Sequence, residues 1–216
     1  MRTHLCGDRA LLIDVDQPAG YASATDAVLA LTERLREVAH PGIIDLVPAA
    51  QTLLIHLDPA VLSLEGAQRL LDDTGLPPAT ASTGGGETHR IPVSYDGPDL
   101  EDLASSLGIT TAELIVRHSG TTWRAAFGGF APGFFYLSAA SGPGLGTVPR
   151  RSEPRTAIPA GSVALAGEWS AVYPGSSPGG WQIIGFTETP FWDSAAERPA
   201  LLRAGDLVEF YDKEHA

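Results

Sequence analysis

Apolar positions in the first part of the chain fall into two alternating spacings. Ala10 to Val15, opening with the apolar run Ala10 to Ile13, reads as a strand. Ser23 to Ala39 then carries Val28, Leu31, Leu35 and Val38 at the three- and four-residue intervals that line one face of a helix. Ser23 with Asp26 three residues on resembles a capping box, and Pro41-Gly42 ends the helix. Ile43 to Val47 and Thr52 to Leu57 predict two more strands, the second alternating its faces. Asp58-Pro59 opens a second helix whose apolar set is Val61, Leu62, Leu64, Leu70 and Leu71, and Gly75 stops it. Strand, helix, strand, strand, helix predicts a small α+β domain of split βαβ type over residues 1–80. Leu76 to Glu87, LPPATASTGGGE, has too few large apolar groups to order itself and is expected to be a linker.

From Arg90 the pattern changes. Arg90 to Tyr95 predicts a strand, and Pro98 to Leu107 a short helix closed by Gly108. The next helix has full start signals, with Thr110 as cap, Glu113 three residues later, and Ile109 and Leu114 placed as a hydrophobic staple. It runs to about His118 and ends at Gly120, so Arg117 and His118 lie where the helix dipole favours cations. Thr122 to Phe127, Ser162 to Ala166, Ala171 to Tyr173, Trp181 to Phe186 and Asp206 to Asp212 read as short strands between Gly and Pro turns. A second, mainly β domain over residues 88–216, a barrel or sandwich, is the expectation.

Composition narrows the function classes. A hydrophobic fraction of 44% over 216 residues is that of a chain with a sizeable folded core. The longest apolar runs fall far short of the roughly 20 residues of a membrane helix, and MRTHLCGDRALLIDV lacks the apolar stretch of a signal peptide. A cytoplasmic protein is expected. The one cysteine, Cys6, agrees, because it leaves no intrachain disulfide to form. A formal charge of −12 with no basic run argues against nucleic acid or anionic lipid as partners.

Some motifs tempt and fail. Gly175, Ser177 and Gly179 fit the G-x-S-x-G elbow of serine hydrolases. That elbow uses the backbone N–H after the serine as an oxyanion donor, and here the next residue is Pro178, which has none. A Walker A loop needs a lysine, and the only one in the chain is Lys213 near the end. The six histidines show no i, i+4 pair and have no cysteine partner, so no metal site is expected.

Three loops carry the remaining signal: GGFAPGFFYL (128–137), VPRRSEPRTAIPAGSVALAG (148–167) and YPGSSPGGWQIIGFT (173–187). Arg150, Arg151 and Arg155 cluster in an otherwise acidic chain, held in a loop stiffened by prolines 149, 154 and 159. Arginine forks bind carboxylates and phosphates in bidentate fashion, so these three are the candidate anion-binding residues. The bland alternative makes them salt-bridge partners of Glu153 and other acids. Gly133, Phe134, Ser162 and Gly180 are expected to line a cleft, with Tyr173 and Trp181 equally suited to core or contact. His118 is the candidate catalytic acid/base or anion contact.

These loops, with RHSG at 117–120, RAGDLVEF at 203–210, GDRALLIDV near the start and VPAAQTLLIHLDP at 47–59, resemble one family under three names: allophanate hydrolase subunit 1, the B subunit of 5-oxoprolinase, and the Kip-type inhibitor of a sporulation histidine kinase. The resemblance also extends to the carboxyltransferase region of biotin-dependent urea carboxylase. Two positions depart from the family pattern: Phe135, where a small residue or proline is usual, and Phe186, where arginine is more frequent. The resemblance implies a small α+β domain followed by a cyclophilin-like barrel. It further implies a non-autonomous subunit of an ATP-dependent 5-oxoprolinase, with ATP and Mg bound somewhere in the complex. The implied partners are a sister chain, which is allophanate hydrolase subunit 2 or the 5-oxoprolinase C subunit, and the 5-oxoprolinase A subunit. An allophanate or ureido-acid hydrolase subunit, and an inhibitor docked on a histidine kinase, are the alternatives it leaves open.

Overall fold

The structure, a computed structural model, describes residues 1–16, 18–78 and 86–214, so most of the expected linker lies outside the described residues. The chain divides into two compact units, Met1–Gly85 and Gly86–Ala216.

The first unit contains β1 (Arg2–Cys6), β2 (Ala10–Asp14), α1 (Ala24–Val38), β3 (Ile43–Pro48), β4 (Thr52–Leu57) and α2 (Leu64–Thr74). Its antiparallel sheet has the order β1-β2-β4-β3. The alternation read in Thr52 to Leu57 places Leu53, Ile55 and Leu57 in the core, against Val28, Leu31 and Leu35 of α1. Each such fully buried side chain contributes about 1.5–3 kcal/mol. The Ser23 hydroxyl accepts from Asp26 N–H at 3.1 Å, as its spacing predicts.

Two expectations change here. The α2 helix starts at Leu64 rather than Asp58, because Ser63 caps it by accepting from Gly66 N–H. Asp58 is occupied by a separate turn, its carboxylate accepting from Ala60 N–H, and Val61 is left exposed. Strand β1 adds to the predicted set, since RTHLC is a largely exposed edge strand with no apolar face to reveal it.

The second unit continues with β5 (Thr88–Val93), α3 (Leu100–Ser106), α4 (Thr111–Ser119), β6 (Thr122–Gly128), β7 (Phe135–Ser141), β8 (Arg155–Ile158), β9 (Ser162–Ala166), β10 (Trp169–Val172), β11 (Ser177–Gly179), β12 (Gln182–Phe186) and β13 (Leu207–Asp212). Seven of these strands form one sheet in the order β12-β9-β10-β7-β6-β13-β5, and β8 pairs with β11 as a separate ribbon. Strands β7, β8 and β11 fall where the sequence reads as loop, since Gly and Pro dominate their flanks.

The sheet curls until its edges meet. Leu207 N–H donates to Glu87 O and Lys213 N–H to Val93 O, so the odd-numbered residues of β5 face β13 and the even-numbered ones face outward. Pro92 thus sits where its missing N–H costs no ladder bond. Ser94, also facing outward, exchanges two 2.9 Å backbone bonds with Phe186 of β12, the strand at the opposite edge. One cluster gathers Val93, Leu114, Trp123, Val163, Val208 and Phe210, and a second, on the opposite face of strands β9, β10 and β12, gathers Phe134, Ile158, Tyr173, Trp181 and Ile183. Among the described residues no helix is long and apolar enough to cross a membrane.

Candidate functional site

The arginine loop closes on a residue that its own sequence does not point to. Arg155 Nη1 and Nη2 donate to the two carboxylate oxygens of Asp99, each at 2.7 Å, a bidentate fork. Arg151 Nη1 adds a 2.5 Å bond to Asp99 Oδ1, and Ile183 N–H donates to Oδ2 at 2.7 Å. Asp99 is buried, while both arginines remain partly open to water, their side chains 32% and 24% exposed for Arg151 and Arg155. Burial pushes the Asp99 carboxyl up. The Arg155 hydrogen bond, the Ile183 N–H and the two guanidinium charges outweigh it and hold the group below the usual carboxylate range.

Neither reading of the arginine loop names this partner. Its salt-bridge partner is the remote Asp99 rather than the neighbouring Glu153, and part of each fork is already engaged. One buried carboxylate set against two guanidiniums nevertheless leaves a net positive charge there. Arg155 Nε and the outer N–H groups of both forks have no protein partner among the described residues. Arg150 is exposed and joins neither bond to Asp99.

Asp99 escapes a reading of the sequence because its position looks like a helix cap. It precedes α3 at the N-cap, yet its side chain makes no capping bond, being turned onto the arginines instead. An acid spared from capping duty is the only local sign, and it becomes visible only once the loops are in place.

His118 lies apart from this cluster and does not reach it. Its ring is completely buried, stacked on Phe210 at 4.6 Å between centroids. Nδ1 lies 2.8 Å from Tyr95 Oη and Nε2 2.9 Å from Ser170 Oγ. Its carbonyl accepts from Trp123 Nε1 at 3.1 Å. Burial lowers its pKa from 6.5 to about 3, so the ring is neutral at physiological pH. The expected acid/base role is corrected on this geometry, because a sealed, neutral ring with both nitrogens engaged touches no molecule at the surface. The placement of His118 at the end of α4 makes it a core residue instead.

The remaining expected residues divide. Phe134, Tyr173 and Trp181 form the second core cluster, with ring centroids 5.3 to 5.6 Å from Phe134. Ser162 is fully buried and its hydroxyl donates to Pro159 O at 2.8 Å, so it holds a turn. Gly180 does adjoin the arginines, its carbonyl accepting from Arg151 N–H at 2.9 Å. Gly133 has φ +78°, and a Cβ there would meet Phe191 O at 2.8 Å, so only glycine fits that turn. A cavity of about 600 Å³ lies between α4, β5 and β13, lined by Arg90, Ile115, Val116, Phe210 and Asp212 among others. It shares no residue with the arginine cluster, and Phe210 separates it from His118. Among the described residues no three His, Cys, Asp or Glu side chains gather closely enough to hold a metal ion.

Comparisons with known proteins bear on the chain as a whole rather than on this cluster. The family model "Carboxyltransferase domain, subdomain C and D" matches residues 1–202, and the chain belongs to that family. It is 34% identical to the B subunit of 5-oxoprolinase from Escherichia coli O157:H7 over a 217-residue alignment, covering 97% of this chain and 94% of that one. It is also 34% identical to the B subunit of 5-oxoprolinase from Bacillus subtilis (strain 168), covering 94% and 89%. Among solved structures, that of TTHA0988 superposes with a TM-score of 0.77 at 36% identity, covering 94% of this chain but only 40% of that longer one.

Proposed function

We propose that this chain is the B-type subunit of an ATP-dependent 5-oxoprolinase, a hydrolase complex that opens the lactam of 5-oxoproline to glutamate. The observation that carries the reading is the 34% identity to two such B subunits across nearly their whole lengths. The partners are a sister chain of the 5-oxoprolinase C type and the 5-oxoprolinase A subunit, and the complex works in the cytoplasm. The longer TTHA0988 chain, of which this one spans 40%, has room for a sister domain in the same polypeptide. We read the two units as domains over 1–80 and 88–216, the second a cyclophilin-like barrel.

Within the chain, the outer N–H groups of Arg151 and Arg155 hold the carboxylate of the substrate. Asp99 fixes the forks in one orientation, which lowers the side-chain entropy lost on binding. ATP supplies the activation of the lactam in the complex. The only lysine, Lys213, lies 3.8 Å from Glu188 on an exposed strand end and builds no phosphate cradle.

The test is to co-express the chain with its C-type and A-type partners and follow ATP-dependent glutamate release from 5-oxoproline. Activity that requires all the chains supports the reading. A stable complex active only on a ureido acid replaces it with the allophanate-type function, and failure of any complex to form overturns it.

A further inference from the structure

The antiparallel sheet of the first unit has two edges in different states. Leu57 N–H donates to Arg9 O and Val15 N–H to Gln51 O, each at 2.8 Å, so the odd-numbered residues of β2 bond to β4 and the even-numbered ones turn to β1. The β1 partners of those even-numbered residues are Arg2, His4 and Cys6. The backbone N–H and C=O groups of Thr3 and Leu5 therefore point away from the sheet, and they have no partner among the described residues.

The opposite edge, β3, is blocked. Ala49 N–H donates to Thr52 O, so beyond its bulge β3 turns Asp45 and Val47 to β4 and Leu46 and Pro48 outward. The Asp45 carboxylate accepts the outward N–H of Leu46 at 2.8 Å, and Pro48 has no N–H to offer. Strand β1 carries no such guard. Its arginine, Arg2, is drawn back over β2 to Asp14 at 2.9 Å and Asp16 at 3.5 Å. Leu5 is 70% exposed on one face, and Arg2, His4 and Cys6 are exposed on the other. An unguarded edge beside an exposed leucine is the arrangement that accepts another strand.

The edge is complementary to itself. With two copies antiparallel, Thr3 of one lies opposite Leu5 of the other and His4 opposite His4, so the whole of Arg2–Cys6 overlaps. The two outward donors of each copy then meet the two outward carbonyls of the other, four backbone hydrogen bonds in all. Charge favours this face for self-contact. The chain carries −12, yet residues 1–10 hold two arginines against one acid, Asp8. In this register Arg2 stands opposite Cys6 of the second copy, two residues from its Asp8, so opposite charges approach on each side of the axis.

We propose that β1 pairs with β1 of a second copy of this chain, joining two four-stranded sheets into one about a twofold axis. The pairing does not depend on the 5-oxoprolinase reading.

Sedimentation velocity of the full chain over a concentration series is the experiment. A monomer–dimer equilibrium is expected, and Leu5→Pro is expected to weaken it about tenfold or more, since each copy loses one of its two outward donors. The fold survives that change, because the lost N–H bonds to nothing within the chain, and unchanged far-UV circular dichroism checks it. His4→Cys combined with Cys6→Ser tests the register. Position 4 stands opposite itself as a non-hydrogen-bonded pair, whose roughly 4.5 Å Cα separation suits a disulfide. Mild oxidation is expected to give a covalent dimer of this variant under conditions where the wild-type chain, its Cys6 opposite Arg2 of the second copy, gives none. A chain that stays monomeric throughout the series overturns the proposal. So does a dimer that Leu5→Pro leaves unweakened, or one that the His4→Cys variant fails to cross-link.

Discussion

His118 makes stability depend on pH with a size that can be worked from its surroundings. The perturbation is acidification from pH 7 to pH 5. In the unfolded chain the imidazole takes up a proton near 6.5; in the folded protein, where burial lowers the value to about 3, it does not. The folded pKa is depressed for a base, so the unfolded state binds more protons as pH falls. Stability therefore drops below about pH 6.5 and continues to drop until the folded value is reached. Over the whole window the loss from this one ring is about 5 kcal/mol, and between pH 7 and 5 about 2 kcal/mol. All four tryptophans lie in the second unit, at 123, 169, 181 and 192, so urea unfolding followed by their fluorescence reports on the unit that holds His118. His118→Gln supplies the comparison. It is less stable at pH 7, having lost the ring stacked on Phe210 and the fit to Tyr95 and Ser170, but its loss between pH 7 and 5 should be smaller by about 2 kcal/mol. Equal losses in the two proteins, or a folded-state His118 resonance that titrates near 6.5, would refute the reasoning and reopen an acid/base role.

Other consequences follow from the same geometry. Arg155→Ala leaves the buried Asp99 carboxylate without its bidentate partner and should cost about 3–5 kcal/mol in urea unfolding. Arg155→Lys keeps the charge with fewer bonds, so it should retain the fold while glutamate release by the assembled complex falls; unchanged turnover would sink the anion-fork role. Since the Asp99 pKa is depressed, its stabilising contribution is present above the ordinary carboxylate value of 3.8 and lost as pH falls through the folded one. Asp99→Asn should flatten that acid limb in a pH series of melts. Gly133→Ala, forced to φ +78° against the Phe191 carbonyl, should lose about 1–3 kcal/mol. In the first unit, Leu31→Ala should cost about 2–5 kcal/mol, read by far-UV circular dichroism because no tryptophan lies there.

Local chemistry made much of the fold legible. The caps at Ser23 and Thr110 and the apolar stripe of α1 are satisfied within a few residues of themselves, so α1 and α4 begin where their sequences predict. The alternation in Thr52 to Leu57 likewise declared which side chains enter the core. What local pattern could not show is any element stabilised from elsewhere. Strand β1 is exposed and exists because β2 pairs with it. Strands β8 and β11 are short, Pro- and Gly-flanked, and exist because they pair with each other.

The same division holds at the site. From the sequence alone come the arginine-rich, proline-stiffened loop, the glycine at 133, the failure of the G-x-S-x-G elbow and the family resemblance. The tertiary structure decided the surroundings of these residues. It brought Asp99 against arginines 52 and 56 residues away, and it sealed His118 in the core although its helix-end position suggests an accessible cation. The reason is physical: whether a charge is paired and whether a ring is solvated depend on what the folded chain sets around it, and no spacing along the sequence records those neighbours.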